Sequence, residues 1–419
     1  MSRQSSKRFV HLGCRLNGFE SEAMREIVRQ KGLEDVTVVN TCAVTAEAVR
    51  KSRQAIRRMH RERPGSHLVA TGCAVQIDSE SFNVMAEVDT ILGNSRKLDP
   101  EAWDDIFARR ALRDMVPDIM TASSRNRMIS GFGSRSRAQI QIQNGCDHRC
   151  TFCIIPYGRG NSRSVALADI VEQAQVLSAN GYNEIVLSGV DITAWGTDLP
   201  DSPLLGDLVQ SILDQVSDLR RLRVSSVDPV ELDDQFVELM ATDPRLMPHL
   251  HLSVQSGDNL ILKRMKRRHA REDVIELCAK LAARRPDITF GADLIAGFPT
   301  ETETMFDNSL RLVEECNLTW LHIFPYSQRQ GTPAARMPQV DSAVIHKRAS
   351  MLRQLGQFQI QNLLKRWVGR AGNVLMETPF LGRAEQFAQV EFAEPLAAGQ
   401  IIEARFVESD GARLAGVRL

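Results

Sequence analysis

Three cysteines lie close together in the segment NGCDHRCTFCIIPYGRG, residues 144–160. Cys146, Cys150 and Cys153 have the spacing C-x3-C-x2-C. Three thiolates of this kind can bind three irons of a [4Fe–4S] cluster, because soft sulfur ligands select such clusters. The fourth iron would then have no protein ligand and would be open to a small molecule. A closed zinc site that adds His148 is the alternative, but the spacing differs from that of a zinc ribbon.

A second set of three cysteines is spread over the first part of the chain. Each one ends a short apolar, β-branched run, and helical patterns separate the runs. The runs are RFVHLGC (8–14), VTVVNTC (36–42) and HLVATGC (67–73). Strands that alternate with helices predict a parallel sheet, in which the carboxyl ends of the strands share one edge. We therefore expect Cys14, Cys42 and Cys73 to meet at that edge.

The two cysteine sets fall in different parts of a three-domain chain. We predict an N-terminal parallel-sheet α/β domain (7–118), a Ser-, Gly- and Arg-rich linker (119–137), a partial barrel (138–364) and a small β-barrel (365–419). In the third segment, six strand candidates alternate with helical patterns, one of them over 258–285. This predicts a (β/α)6 part of a TIM-like barrel, whose chemistry lies at the carboxyl ends of the strands.

Small or polar residues occur where these barrel strands are predicted to end. They are Gly189, Asp191, Ser225, Gln255 and Asp293. Each could bind a cofactor at the mouth of the barrel, and each could equally serve as a turn residue.

Composition narrows the class of protein. The 419 residues are 43% hydrophobic and 25% charged, with 52 basic and 52 acidic residues, as in ordinary globular proteins. No apolar run reaches the ~18 residues of a membrane span, and the N-terminus has no apolar signal core. Eight cysteines without an export signal indicate a reducing compartment and metal binding or catalysis. We expect a cytoplasmic monomer that does not bind membranes.

The motifs around both cysteine sets resemble those of a known family. C-x3-C-x2-C at the mouth of a partial barrel resembles the radical S-adenosylmethionine superfamily. GCRLN, VNTCAVT and ATGCAVQ, together with PYGRGNSRS and DLIAGFPTET, resemble its methylthiotransferases over nearly the whole chain. The resemblance implies two [4Fe–4S] clusters and S-adenosylmethionine. By this resemblance, Cys146, Cys150 and Cys153 would hold the cluster that cleaves S-adenosylmethionine to a 5′-deoxyadenosyl radical. Cys14, Cys42 and Cys73 would hold an auxiliary cluster that carries the sulfur.

Within that family, GCRLNGFES and CDHRCTFCIIPYGRGNSRS are most similar to the branch that acts on N-threonylcarbamoyladenosine at tRNA position 37. The resemblance therefore implies methylthiolation of adenine carbon 2, with an unidentified electron donor. No side chain is predicted as an acid or base catalyst, because that C–H bond is unactivated and the cofactors must supply the chemistry. The alternatives are isopentenyladenosine in tRNA, an aspartate of a ribosomal protein, and a non-catalytic iron–sulfur RNA-binding redox sensor.

Two surfaces bear on tRNA binding. The predicted helix after Cys42 carries a basic stripe at helical spacing, formed by Arg50, Arg53, Arg57 and Arg61. Such a stripe is usually a solvated face, but here it could contact RNA phosphates. The predicted C-terminal barrel resembles an RNA-binding appendage, yet its segment 366–419 has six basic and seven acidic residues. A module that binds phosphates is expected to be basic.

Overall fold

The computed structural model describes residues 8–108, 114–122, 128–133 and 135–419. Its N-terminal part is a five-stranded parallel sheet in the order β1-β2-β3-β4-β5, as expected from the alternating pattern. The elements are β1 (Phe9–His11), α1 (Arg15–Gln30), β2 (Val36–Thr41), α2 (Ala46–Glu62), β3 (His67–Gly72), α3 (Cys73–Ile77), α4 (Ser79–Asn83), β4 (Thr90–Leu92), α5 (Pro100–Phe107) and β5 (Asp114–Met115).

The predicted linker contributes to the core where it is described. It begins with a 3₁₀ helix, Ile119–Thr121, and Ile129 and Phe132 are buried in the barrel core. The backbone of Ile129 exchanges two hydrogen bonds with the side chain of Gln173, at 2.7 and 2.9 Å. Residues 123–127 and 134 of the predicted linker lie outside the described residues. Buried apolar side chains thus hold segment 128–133 in place, which its polar composition did not indicate.

Six parallel strands form the partial barrel that the sequence predicts. They hydrogen-bond in the orders β10-β9-β6 and β11-β12-β13, and single bridges connect β10 and the residues after it to the β11 region. The elements are β6 (Ala138–Gln141), β7 (Gln143–Asn144), α6 (Ile155–Arg159), β8 (Arg163–Ser164), α7 (Leu167–Ala179), β9 (Glu184–Ser188), α8 (Leu205–Gln215), β10 (Arg221–Val224), α9 (Asp234–Thr242), β11 (His249–Gln255), α10 (Asn259–Met265), α11 (Arg271–Arg284), β12 (Thr289–Ala296), α12 (Glu303–Glu315), β13 (Leu318–Pro325) and α13 (Ser342–Trp367).

The prediction of one helix over 258–285 is wrong. The segment forms α10 and α11, and the chain turns at Lys266, whose φ is +62°. The turn brings the Arg267 and His269 side chains inward: Arg267 donates to Asp228, and His269 Nε2 lies 3.0 Å from the Val254 carbonyl oxygen. Helical periodicity continues across the break, so the sequence did not reveal it.

The C-terminal segment is a closed five-stranded barrel in the order β14-β15-β16-β18-β17. Its strands are β14 (Ala371–Met376), β15 (Leu381–Ala384), β16 (Gln389–Phe392), β17 (Ile401–Ser409) and β18 (Leu414–Arg418). The β15–β16 turn docks on the partial barrel, where Arg223 donates to the carbonyls of Ala384 and Glu385 and Trp320 donates to that of Gln386. No helix in the described part of the chain is long and apolar enough to span a membrane.

Candidate functional site: two cysteine triads at the barrel mouth

Three adjacent strands bring the first cysteine triad together. β1 pairs with β2 and β2 with β3, all in parallel. Cys14 precedes α1, Cys42 follows β2 directly, and Cys73 begins α3, so all three lie at the carboxyl edge of the sheet. Burial, together with the neighbouring Cys73 and Cys14 thiols, raises the pKa of Cys42 to about 11. The three thiols are therefore close enough to interact electrostatically, as the strand pattern predicted.

Gly13 makes room for this triad. Its φ is +89°, and a Cβ atom at this position would lie 2.4 Å from Cys42 Sγ. We expect Gly13→Ala to displace the Cys42 thiol and to lower the iron content of the purified protein by up to about half, because only one of two clusters is affected. Iron and sulfide assays check this, with Gly32→Ala as the control, since open space surrounds Gly32 although its φ of +66° is also positive. Full iron content in Gly13→Ala would contradict the expectation.

A buried polar network supports the triad from the barrel side. Arg159 of α6 donates to both carboxylate oxygens of Glu20, at 2.7 and 3.0 Å, and to Asn17 Oδ1 at 2.5 Å. Lys97 Nζ donates to Glu20 Oε2 at 2.6 Å. These two cations lower the pKa of the buried Glu20 to about 2 against the opposing effect of desolvation. The network joins the N-terminal sheet to the loop that carries the second triad.

The second triad lies in the loop between β7 and α6. Cys146 N donates to the Gly160 carbonyl at 3.1 Å, and Cys153 N donates to the Cys150 carbonyl at 3.1 Å, so the loop closes on itself. Thr151 N donates to the Met265 carbonyl at 3.0 Å, which fixes the loop against α10. The cysteines thus sit at the carboxyl end of the first barrel strand, where the sequence placed them.

Charged side chains surround this second triad. Arg267 Nη1 lies 3.7 Å from Cys150 Sγ, and Cys146 Sγ lies 3.7 Å from Asp191 Oδ2. His148 Nε2 lies 3.0 Å from Asp191 and 3.3 Å from Glu231, and these hydrogen bonds raise the pKa of His148 to about 10. His148 is therefore directed at carboxylates instead of thiols, which argues against the zinc alternative.

The chemistry of the thiols fits iron clusters at both places. Burial raises the pKa of Cys153 to about 12, and burial with the nearby Asp191 raises the pKa of Cys146. The protein alone therefore does not stabilise these thiolates. Bound iron would supply the missing positive charge and hold the sulfurs deprotonated. Each triad offers three soft ligands and leaves one iron of a [4Fe–4S] cluster open.

The five predicted cofactor-binding residues lie along the barrel strands. Gly189 and Asp191 follow β9, Ser225 follows β10, Gln255 ends β11 and Asp293 lies in β12. The buried Ser225 hydroxyl has no hydrogen-bond partner among the described residues, and Gln255 has a φ of +70°. Asp293 lies deeper and accepts hydrogen bonds from two histidines. Contact of these five residues with S-adenosylmethionine stays a prediction.

Several residues of the site carry no local sequence signal. Gln143 accepts from the backbone N–H groups of Val190 and Asp191, at 3.0 and 2.9 Å, and so shapes the loop after β9. Glu231, Arg267 and Arg159 reach the triads from distant segments. Only tertiary structure brings them there, and the motif PYGRG was the one hint that involved Arg159.

The predicted basic stripe on α2 is largely paired with acids. Arg50 contacts Glu47 within the helix. Arg53 lies 3.6 Å from Asp78 and Arg57 lies 3.5 Å from Glu87, both from other segments. The pairs are half-exposed, so they contribute little stability and can exchange partners. Contact of the stripe, Arg61 included, with RNA phosphates stays a prediction.

Comparison with known proteins defines the class. The family model described as Radical SAM superfamily matches residues 140–313, and that of an uncharacterized protein family, UPF0004, matches residues 7–93. A solved structure of the radical S-adenosylmethionine methyltransferase TsrM from Kitasatospora setae, with cobalamin and a [4Fe-4S] cluster bound, has a similar fold. The TM-score is 0.57 at 16% identity, over 78% of this chain and 77% of that one. The fold and site define a radical S-adenosylmethionine enzyme.

Relatives with names narrow the assignment. The chain is 46% identical to threonylcarbamoyladenosine tRNA methylthiotransferase MtaB of Rickettsia prowazekii, over 97% of this chain and 96% of the relative. It is 35% identical to MtaB of Bacillus subtilis, over 88% of this chain and 83% of the relative. It is 32% identical to tRNA-2-methylthio-N(6)-dimethylallyladenosine synthase of Oceanobacillus iheyensis, over 97% and 82%. The chain belongs to this methylthiotransferase family, whose cofactors are S-adenosylmethionine and [4Fe–4S] clusters.

Proposed function

We propose that this enzyme methylthiolates carbon 2 of N-threonylcarbamoyladenosine at tRNA position 37, with S-adenosylmethionine as both methyl donor and radical source. The observation that carries the proposal is the presence of two cysteine triads at one barrel mouth. α6, which follows the second triad, packs on the first: a Cβ atom at Gly158 would lie 3.1 Å from the Cβ atom of Cys73. A sulfur donor and a radical source must both reach one substrate carbon, and this arrangement supports that requirement.

The choice of substrate is supported by the pattern of identity among relatives. Identity is 46% with the threonylcarbamoyladenosine enzyme of Rickettsia prowazekii, whereas it is 31–36% with three dimethylallyladenosine enzymes. The isopentenyladenosine and ribosomal-protein alternatives are thus not favoured. A redox sensor would need one cluster and no substrate cavity, and two triads beside a barrel argue against it.

The two triads and their neighbours have separate tasks in this reaction. When bound, the clusters would supply the electron that cleaves S-adenosylmethionine and the sulfur that is transferred. The protein holds the Cys146 loop rigid through its backbone hydrogen bonds and balances charge there with Arg267 and His148. Arg159, Glu20 and Lys97 fix the first triad relative to the second. Buried apolar side chains such as Ile154 exclude water between them.

We further propose a cytoplasmic monomer that takes electrons from a separate donor. Both cysteine triads come from one chain, which supports the monomer, and tRNA as substrate supports the cytoplasm.

Nucleoside analysis of tRNA tests the proposed function. Deletion of the gene from its source cells should abolish 2-methylthio-N-threonylcarbamoyladenosine and leave its unmethylthiolated precursor. Mass spectrometry of digested tRNA measures both. The intact gene should restore the nucleoside, whereas the Cys150→Ala gene should not. Persistence of the nucleoside in the deletion strain, or loss of the isopentenyl form in its place, would refute the proposed substrate.

A further inference from the structure

A cation without an acidic partner lies beside the first triad. Arg15, the first residue of α1, directly follows Cys14, and its guanidinium carbon lies 6.0 Å from the centre of the Phe387 ring. The guanidinium groups of Arg137 and Arg223 lie over the same ring, which places Arg15 beside the barrel strands with its side chain open to solvent. Yet Arg15 forms no salt bridge within 4.0 Å with any acid of residues 8–108, 114–122, 128–133 and 135–419.

The other cations around Phe387 are all paired. Arg137 Nη2 lies 2.7 Å from Glu377, and Arg383 Nε lies 2.8 Å from the same carboxylate. Arg223 Nε lies 2.9 Å from Glu184. The carboxylates of Glu184 and Glu377 are thus already shared among these arginines. Arg15 is left without an acidic partner among the described residues, and its solvent-exposed side chain is accessible to an incoming anion.

Asp293 forms no salt bridge with Arg15, and two histidines already occupy one of its oxygens. His251 Nε2 and His322 Nδ1 each lie 3.1 Å from Asp293 Oδ1, and both donate to it. Gly291 permits this arrangement, since a Cβ atom there would lie 2.3 Å from His251 Nδ1. The side chain of His322 is 58% exposed, and its Nε2 has no partner among the described residues. The site thus presents an arginine and an imidazole to an incoming group.

The substrate of the proposed reaction carries the charge that this site lacks. The threonylcarbamoyl group is attached to N6 of adenine and ends in a free carboxylate. N6 lies on the same edge of the base as N1 and carbon 2. A base whose carbon 2 reaches the first triad therefore brings its N6 substituent close to the residue that follows Cys14. An isopentenyl group in that place would be neutral and would leave Arg15 unpaired.

The geometry points to Arg15 as the residue that binds the threonyl carboxylate of the substrate, with His322 as a second polar contact. Arginine suits this task because its planar fork can donate two parallel hydrogen bonds to a carboxylate. The inference rests on the proposed function and adds to it the residue that selects an anionic N6 substituent over a neutral one.

A matched pair of substrates tests the inference on the wild-type enzyme. The cluster-loaded protein is assayed without oxygen on an anticodon stem–loop RNA that carries N-threonylcarbamoyladenosine, and on the same RNA with the threonyl carboxylate replaced by a carboxamide. The two groups have nearly the same shape and differ in charge. We expect kcat/KM to be about 10- to 100-fold lower on the carboxamide, mainly through a higher KM, because a charge-assisted hydrogen bond is lost.

Variants assign the effect to Arg15. Arg15→Met keeps the length of the side chain and removes its charge, so it should process both RNAs with similar and poor KM values. Arg15→Lys should retain part of the preference for the carboxylate. Arg29→Met on the same helix is the control, because Arg29 is exposed and lies 3.5 Å from Glu26. Iron content and 5′-deoxyadenosine formation verify that both clusters are present in each variant.

The outcomes separate the inference from the proposed function. Equal activity of the wild-type enzyme on both RNAs overturns the inference, as does an Arg15→Met enzyme that keeps the full preference. In both cases the proposed function stands. A wild-type enzyme that cleaves S-adenosylmethionine but methylthiolates neither RNA overturns the proposed function, and the inference falls with it. If Arg15→Met loses a cluster, the inference is tested by the activity of the wild-type enzyme on the two RNAs and by the preference of Arg15→Lys between them.

Discussion

Cys42→Ser is expected to abolish methylthiolation while leaving S-adenosylmethionine cleavage intact. Cys42 follows β2 and belongs only to the first triad, and the loop of the second triad is held by Gly160 and Met265, which lie outside that sheet. Serine keeps the shape of the side chain but does not supply the thiolate that an iron requires. The purified variant should hold about half of the wild-type iron and sulfide.

Three assays check this expectation together: iron and sulfide content, 5′-deoxyadenosine formation, and methylthiolated nucleoside in tRNA. Cys278→Ala is the matched control. Cys278 is buried against Cys316 on the outer helices of the barrel, away from both triads, and its loss should change none of the three values. Loss of S-adenosylmethionine cleavage in Cys42→Ser, or retention of the methylthiolated product, would contradict the assignment of separate tasks.

Glu20→Gln is expected to destabilise the protein by about 3–5 kcal/mol, because it removes the buried partner of two cations. Glu20 is 1% exposed and pairs with Arg159 at 2.7 Å and Lys97 at 2.6 Å. Glu22→Gln is the control on the same helix. Glu22 pairs with Arg25, whose side chain is more exposed than those of Arg159 and Lys97. Loss of the Glu22 charge should therefore cost less than about 1 kcal/mol. Anaerobic chemical denaturation near pH 7 measures both.

The pH dependence of the stability of Glu20→Gln provides a second test of the buried network. Burial lowers the pKa of Lys97 in the wild-type protein, and Glu20 partly opposes that effect. Without Glu20 the pKa of Lys97 in the folded protein should fall further below the value of about 10.4 that lysine has in the unfolded chain. Between those two values the unfolded chain binds more protons, so stability rises with pH. The deficit of Glu20→Gln should therefore shrink between pH 7 and 9. A deficit that is constant over this range would contradict the expectation.

The sequence was sufficient for the features that depend on local pattern. The runs that end in Cys14, Cys42 and Cys73 are strands followed by tight turns, and their alternation with helices determined a parallel sheet. β11 coincides with the apolar run HLHLSVQ, residues 249–255. The spacing of Cys146, Cys150 and Cys153 indicates an open cluster, because this inference depends on ligand chemistry alone.

The features that the sequence did not reveal depend on long-range polar pairing. Glu20, Lys97 and Arg159 belong to three separate segments, and nothing local marks them as one network. Arg15 is the first residue of a helix and follows a cysteine, and only the docked β15–β16 turn with Phe387 shows that it lies beside the barrel strands. β15 carries no clear strand signal because its sequence LGRA is short and weakly apolar.

The most direct test of the proposed function uses the purified, cluster-loaded enzyme and two tRNAs. One carries N-threonylcarbamoyladenosine at position 37 and the other carries isopentenyladenosine, and each is incubated with S-adenosylmethionine and a reductant without oxygen. Mass spectrometry of the nucleosides and of 5′-deoxyadenosine follows the reaction. We predict a 2-methylthio product from the first tRNA and none from the second. A product from the isopentenyl tRNA alone, or 5′-deoxyadenosine without any methylthio nucleoside, would contradict the proposed function.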